Sequence, residues 1–208
     1  MKHRLKLIAL PVLSAAVCCS CGTTTDAARV REFIRTSWEA AVRFNPADEG
    51  TLIGLPHPYT VPCVDGTFQE LYYWDTYFTN EGLVRDGRTE LAQSNVDNML
   101  YLVERYGYMP NGSRTWYLNR SQPPYLAMAV ARIYSETGDR EWLSHAFGVL
   151  RREYDFWMTQ RSTPVGLNRY SSSAGESLLR EFVSTGGARL GTDFTAGAPG
   201  DAELLRLG

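Results

Sequence analysis

Residues 123–161 read PPYLAMAVARIYSETGDREWLSHAFGVLRREYDFWMTQR. Two rows of apolar residues at helical spacing flank Gly138-Asp139. Pro123-Pro124 opens the first helix, predicted over residues 125–137, because proline is tolerated in a first turn. Gly138-Asp139 ends it and starts the next, predicted over residues 140–161. Trp142, Ala146, Val149, Leu150 and Trp157 share one side of that second helix. Two helices joined by so short a turn pair antiparallel, as a helical hairpin.

Working outward, residues 88–106 repeat the pattern. Leu91, Val96, Met99, Leu100 and Val103 recur at three-to-five spacing, which predicts a helix. Residues 27–44 place Val30, Phe33, Ile34, Trp38, Ala41 and Val42 on one helical face, with Asp26 as N-cap. Residues 68–84 are aromatic and read as helical for much of their length. Residues 45–63 are rich in glycine and proline and read as irregular. Residues 107–117 form a loop punctuated by Pro110, Asn111 and Gly112. Past Arg169 the texture changes: Ser171 to Ser173, Gly186-Gly187 and residues 196–200 read as loops between short helices. The last residues, Leu205-Arg206-Leu207-Gly208, read as the start of a further helix. No alternating strand is convincing, so the fold class is all-α. Apolar stripes do not by themselves separate a bundle, a solenoid and a toroid.

Residues 1–21 are set apart from the fold. Lys2, Arg4 and Lys6 precede a short apolar run from Leu7 to Val17, too short to span a bilayer comfortably. Cys18-Cys19-Ser20-Cys21-Gly22 follows. A small residue before a cysteine after such a run resembles a bacterial lipoprotein signal, and Cys21 fits the lipidated position best; an ordinary cleaved signal peptide is the alternative. Residues 22–26 are a short polar linker, and the folded portion is expected over residues 27–208. Export to the periplasm or the membrane surface is the expectation, with membrane attachment through an N-terminal lipid on Cys21.

The 208 residues are 44% hydrophobic and 21% charged, enough apolar material for one domain with a core. The net charge of −2 becomes −5 without residues 1–21, which argues against a nucleic-acid partner. Cys63 is then the lone thiol besides the anchor, which excludes a disulfide framework; it is expected to be a partly buried structural cysteine. His57 and His145 match no zinc spacing, and no glycine-rich phosphate loop is present, so no metal or cofactor is called for.

Two clusters carry candidate chemistry. The first is Phe68-Gln69-Glu70-Leu71-Tyr72-Tyr73-Trp74-Asp75-Thr76-Tyr77-Phe78. Buried carboxylates are costly unless paired, so rings alternating with acids make a poor core helix. They suit a sugar subsite, where an indole stacks on a pyranose face and a carboxylate accepts its hydroxyls. A local cap or salt bridge at Asp75 explains that residue equally well. The second cluster runs Pro110-Asn111-Gly112-Ser113-Arg114 and then Tyr117-Leu118-Asn119-Arg120-Ser121-Gln122-Pro123-Pro124. Amides, a hydroxyl and a guanidinium fork on a loop suit an oxygen-rich ligand. A solvated loop whose Arg120 pairs with a structural acid is the other reading.

Taken together, these runs resemble the trehalases, which hydrolyse α,α-trehalose to glucose. The first is similar to the family signature Pro-Gly-Gly-Arg-Phe-x-Glu-x-Tyr-x-Trp-Asp-x-Tyr. The second is similar to the family's next block, and Leu167-Asn168-Arg169-Tyr170 to a later one. The matches stand in family order over residues 30–170. The resemblance implies an (α/α)6 toroid of helical hairpins with the sugar site at one end. It implies substrate contacts at Trp74, Asp75, Asn111, Arg120, Ser121 and Gln122, a small disaccharide as partner, and hydrolysis by a two-carboxylate inverting mechanism. Two departures count. Thr67 stands where the signature has a substrate-contacting arginine, with Val64 and Asp65 in place of its proline and first glycine. That opens the alternative of another α-glucoside. The family's acid, in a Gly-Trp-Asp segment, and its later base have no counterpart in these residues. The resemblance therefore implies the N-terminal portion of an incomplete toroid, without the catalytic pair and inactive alone. A second alternative is an exported glycan-binding lipoprotein without catalysis.

Overall fold

The computed structural model describes residues 25–178 and 180. The signal-like segment with Cys21, and the glycine-rich stretches and last helix expected past residue 185, lie outside the described residues. The order of elements is α1 (Asp26–Ser37), a 3-10 turn (Trp38–Ala41), β1 (Val42–Arg43), β2 (Tyr59–Thr60), α2 (Tyr73–Arg85), α3 (Thr89–Tyr106), a 3-10 turn (Thr115–Tyr117), α4 (Leu126–Thr137) and α5 (Arg140–Gln160).

The hairpin that opens the sequence argument is α4 and α5. Gly138 takes the left-handed conformation (φ 65°) that closes α4, which a residue with a Cβ adopts at a cost. The Asp139 carboxylate then accepts the N–H groups of Glu141 and Trp142, both at 3.0 Å, and starts α5. α3 lies at the centre, packed against α2, α4 and α5. The core takes Val96, Met99, Leu100 and Val103 from α3, Leu83 from α2, Leu126, Val130 and Ile133 from α4, and Ala146 and Val149 from α5.

Two expectations shift. The N-terminal helix is shorter than residues 27–44 and is capped by Thr25, whose hydroxyl accepts the Ala28 N–H, rather than by Asp26. No residue of α1 is buried: Val30, Phe33 and Ile34 lie exposed. The chain leaves α-geometry at Trp38, whose indole N–H donates to Asp86 at 2.6 Å and whose ring edges up to Gly82. The second shift is Cys63, which is exposed rather than partly buried.

The irregular segment between β1 and α2 is fastened by two asparagines that interrupt the apolar row of α3. Asn95 accepts the Thr60 N–H at 2.9 Å and donates to Thr60 Oγ1 and to Asn80 Oδ1. Asn98 accepts the His57 N–H and donates to the His57 carbonyl. A side-chain amide offers the two donors and one acceptor that an unpaired stretch of backbone needs, and it does so without water. Replacing Asn95 by alanine strands the Thr60 N–H and the Asn80 carbonyl oxygen in the core. Asn95→Ala is expected to cost about 2–4 kcal/mol in a urea-unfolding experiment.

Candidate functional site

The first motif is half extended and half helical. Residues 68–72 stay out of the helix because their backbone pairs with the second motif. The Ser113 N–H donates to the Leu71 carbonyl at 2.9 Å, and the Leu71 N–H donates to Ser113 Oγ at 3.1 Å. Tyr72 bridges Gly112, and the Tyr73 N–H donates to the Asn111 carbonyl at 3.2 Å. A Cβ on Gly112 would stand 3.0 Å from the Leu71 carbonyl oxygen and 3.2 Å from the Tyr72 and Tyr117 rings, so any side chain would force these neighbours to give way.

The pairing continues into α2. Its N-cap, Tyr72, supplies no side-chain bond, and the first amides of any helix lack partners within it. The second motif provides them: the Asn111 carbonyl takes the Tyr73 N–H, and Gln122 Oε1 takes the Trp74 N–H at 3.1 Å. Two sequence blocks nearly fifty residues apart thus form one wall at the start of α2.

On this wall, Trp74 is 42% exposed, its indole edge-on to Phe78 and with Tyr77, Tyr125 and Phe78 forming an aromatic rim. Asp75 is half-buried in the first turn of α2, where the helix dipole favours a negative charge. Its carboxylate, and the side-chain amide of Asn111, bond to nothing among the described residues. Gln122 spends its carbonyl oxygen on Trp74 and keeps its amide donors. Arg120 donates to the Trp116 carbonyl and to Asn119 Oδ1 and lies over the Tyr117 ring; burial pushes its pKa down from the usual arginine value. Ser121 turns its hydroxyl inward, donating to the Met109 carbonyl at 2.7 Å. The structure therefore brings all six expected contact residues to one region and divides their polar groups into those spent on scaffolding and those open to a ligand.

Glu70 belongs to the scaffold. It is fully buried, ion-paired with Arg114, and accepts the Tyr72 hydroxyl at 3.0 Å. A structural acid–arginine pair thus forms at Arg114. Leu167-Asn168-Arg169-Tyr170 hooks back on the end of α5, with Asn168 bonded to the Trp157 carbonyl and the Tyr170 ring edge-on to Trp157. An apolar cleft of about 730 Å³ opens beside it, lined by Leu150, Glu153, Tyr154, Trp157 and Arg169 among others.

The sequence profile of the trehalases matches residues 23–180. The chain belongs to the trehalase family. It is 43% identical over 143 residues to a periplasmic trehalase of Xanthomonas campestris pv. campestris (strain B100), covering 64% of this chain and 24% of that protein. A periplasmic trehalase of Xanthomonas oryzae pv. oryzae (strain MAFF 311018) is 41% identical over 140 residues, with the same coverage. Among solved structures, the neutral trehalase Nth1 of Saccharomyces cerevisiae superposes with a TM-score of 0.52 at 27% identity, covering 78% of this chain and 33% of that one. The chain spans about a quarter of the length of these bacterial trehalases. Its stacked helices are accordingly an arc of the (α/α)6 trehalase toroid.

Sequence reasoning passed over Glu153. It interrupts the apolar row of α5 and is buried, with the Tyr73 hydroxyl donating to its Oε1 at 2.6 Å and the Met109 N–H directed at its carboxylate. The interruption itself was the available signal. Burial outweighs these bonds and pushes its pKa up to about 7 from an ordinary 4.5. In that window the folded state holds the proton that the unfolded chain has released, so stability falls as pH rises from about 4.5 to about 7 and then levels. The fall is expected to be on the order of 1–3 kcal/mol, and Glu153→Gln, which cannot titrate, should flatten it in unfolding curves across this range. Gly112→Ala should destabilise the chain by about 1–3 kcal/mol at any pH, measured the same way.

Proposed function

We propose that this wall binds one glucose unit of α,α-trehalose, and that the protein is an exported hydrolase of that disaccharide. The observation that carries the reading is the juxtaposition at the start of α2: a half-exposed Trp74 indole beside the Asp75 carboxylate, with the side-chain amides of Asn111 and Gln122 alongside, the carboxylate and the amide N–H groups bonding to nothing among the described residues. An indole covers the C–H face of a pyranose, while the carboxylate accepts adjacent hydroxyls and the amides donate to ring and hydroxyl oxygens. Arg120 orders the loop and adds positive charge to it; Ser121 acts through the backbone it holds.

The chemistry proposed for the whole protein is inversion. A carboxylic acid protonates the glycosidic oxygen while a carboxylate activates a water on the opposite face, the two about 6.5–9.5 Å apart. Glu70 is committed to Arg114 and Glu153 to Tyr73, which supports the reading that neither serves as acid or base. These residues then hold the sugar, and neither Glu70 nor Glu153 cleaves it. Thr67 in place of the signature arginine leaves one fewer cation at the subsite than the trehalase motif provides. Residues 1–21, and relatives named as periplasmic trehalases, support export, with Cys21 as the lipid acceptor.

Calorimetric titration of the 208-residue chain should show saturable trehalose binding. Trp74→Ala should weaken it about tenfold, a loss of about 1.4 kcal/mol. The same preparation should release no glucose. Glucose release, or unchanged affinity in the Trp74 variant, would overturn this assignment; preference for a different α-glucoside in the titration would move the substrate away from trehalose.

A further inference from the structure

Glu153 occupies a position where the pattern of α5 calls for an apolar side chain. Ala146 and Val149 before it, and Phe156 and Trp157 after it, are all buried. Glu153 is itself only 5% exposed. A carboxylate placed there costs several kcal/mol unless its partners compensate, so its partners indicate its use. They lie on two different segments, and each segment carries part of the proposed sugar wall.

The Tyr73 hydroxyl donates to Glu153 Oε1 at 2.6 Å. Tyr73 is the first residue of α2 and immediately precedes Trp74 and Asp75. The same hydroxyl accepts the N–H of Leu126, the first residue of α4, at 3.2 Å. The Met109 N–H is directed at the Glu153 carboxylate and acts to lower its pKa, and the Met109 carbonyl accepts the Ser121 hydroxyl. Met109 precedes Pro110-Asn111, and Leu126 follows Gln122 by four residues. One carboxylate is thus within two hydrogen bonds of the backbone carrying Trp74 and the start of α4, and it faces the Met109 N–H on the segment that leads to Asn111. Tyr73 and Met109 are both fully buried, so the assembly lies behind the sugar wall rather than on it.

We propose that Glu153 is a positioning residue of the sugar-binding wall, holding its two motif segments in register through Tyr73 and Met109. The proposal rests on the sugar-binding reading of that wall. A carboxylate suits the task because both partners are donors and it offers acceptor lone pairs to each. Leucine, of similar bulk, offers none and leaves both donors unmet in the core. Glutamine keeps one oxygen that both donors can share.

The test compares Glu153→Leu, Glu153→Gln and Tyr73→Phe in the 208-residue chain, with two readouts. The first is trehalose affinity by titration. The second, independent of any sugar, is hydrogen exchange of the Tyr73, Trp74 and Leu126 amides by NMR. The Trp142 indole N–H, bonded to Asp97 on the far side of the core, serves as internal reference. Glu153→Leu and Tyr73→Phe should weaken trehalose binding about tenfold or more and speed exchange at those three amides. Helical circular dichroism and the Trp142 signal should stay as they are. Glu153→Gln should recover most of both. A Leu variant with unchanged affinity and unchanged exchange overturns the proposal, as does uniform loss of protection across the chain in all three variants. If the unmodified chain binds no trehalose, the sugar reading fails, and the exchange pattern still decides whether Glu153 sets the register of the wall.

Discussion

The structure depends on a short backbone pairing between residues 71–73 and 111–113. The bonds number few, but they join two segments separated by the whole of α3. They keep the first motif extended up to Tyr72 and hand the first free amides of α2 to acceptors on the second motif. A helix start left without acceptors in a half-buried setting would be costly. Here those acceptors come from the same loop that presents the candidate sugar contacts. The start of α2 and the ligand-facing loop therefore cannot form independently.

That dependence explains how the polar groups of the wall divide. Glu70, Arg114, Ser113 and half of Gln122 are engaged in holding the two segments together, and Ser121 in folding the second one. Asp75 and the Asn111 amide stand clear of such duties. A wall built this way is stiff on its own, as a candidate sugar site would need to be. The ordering entropy of its side chains is met largely during folding, which favours affinity for a small polyhydroxylated ligand.

The helices α3, α4 and α5 were legible because their signals are local: apolar residues at helical spacing, Gly138 and Asp139 at the turn, proline ahead of α4. The six candidate contact residues were picked out through motif order, and they fall around the start of α2. The boundary at Tyr72 was not, because the reason the helix starts there is a partner almost forty residues downstream. Asn95, Asn98 and Glu153 were hidden for a related reason. Each is a polar residue inside an apolar row, and spacing alone cannot tell a solvated interruption from a buried one whose partners lie on another segment. In α1 the error ran the other way. The apolar face of residues 27–44 is present, yet from Val30 to Ile34 it covers nothing among the described residues.

The exposed face of α1 bears on how the chain comes apart. A helix that buries no side chain draws its stability from its own propensity and end-capping, which for twelve residues is marginal in water. Its link to the rest passes through Trp38, held by Asp86 and seated on Gly82, with the Arg88–Glu39 ion pair beside it. Trp38 therefore marks the edge of the cooperative unit. Helix α1 can melt and re-form without disturbing α2 or the wall, while loss of the Trp38 anchorage carries the disturbance into α2 itself.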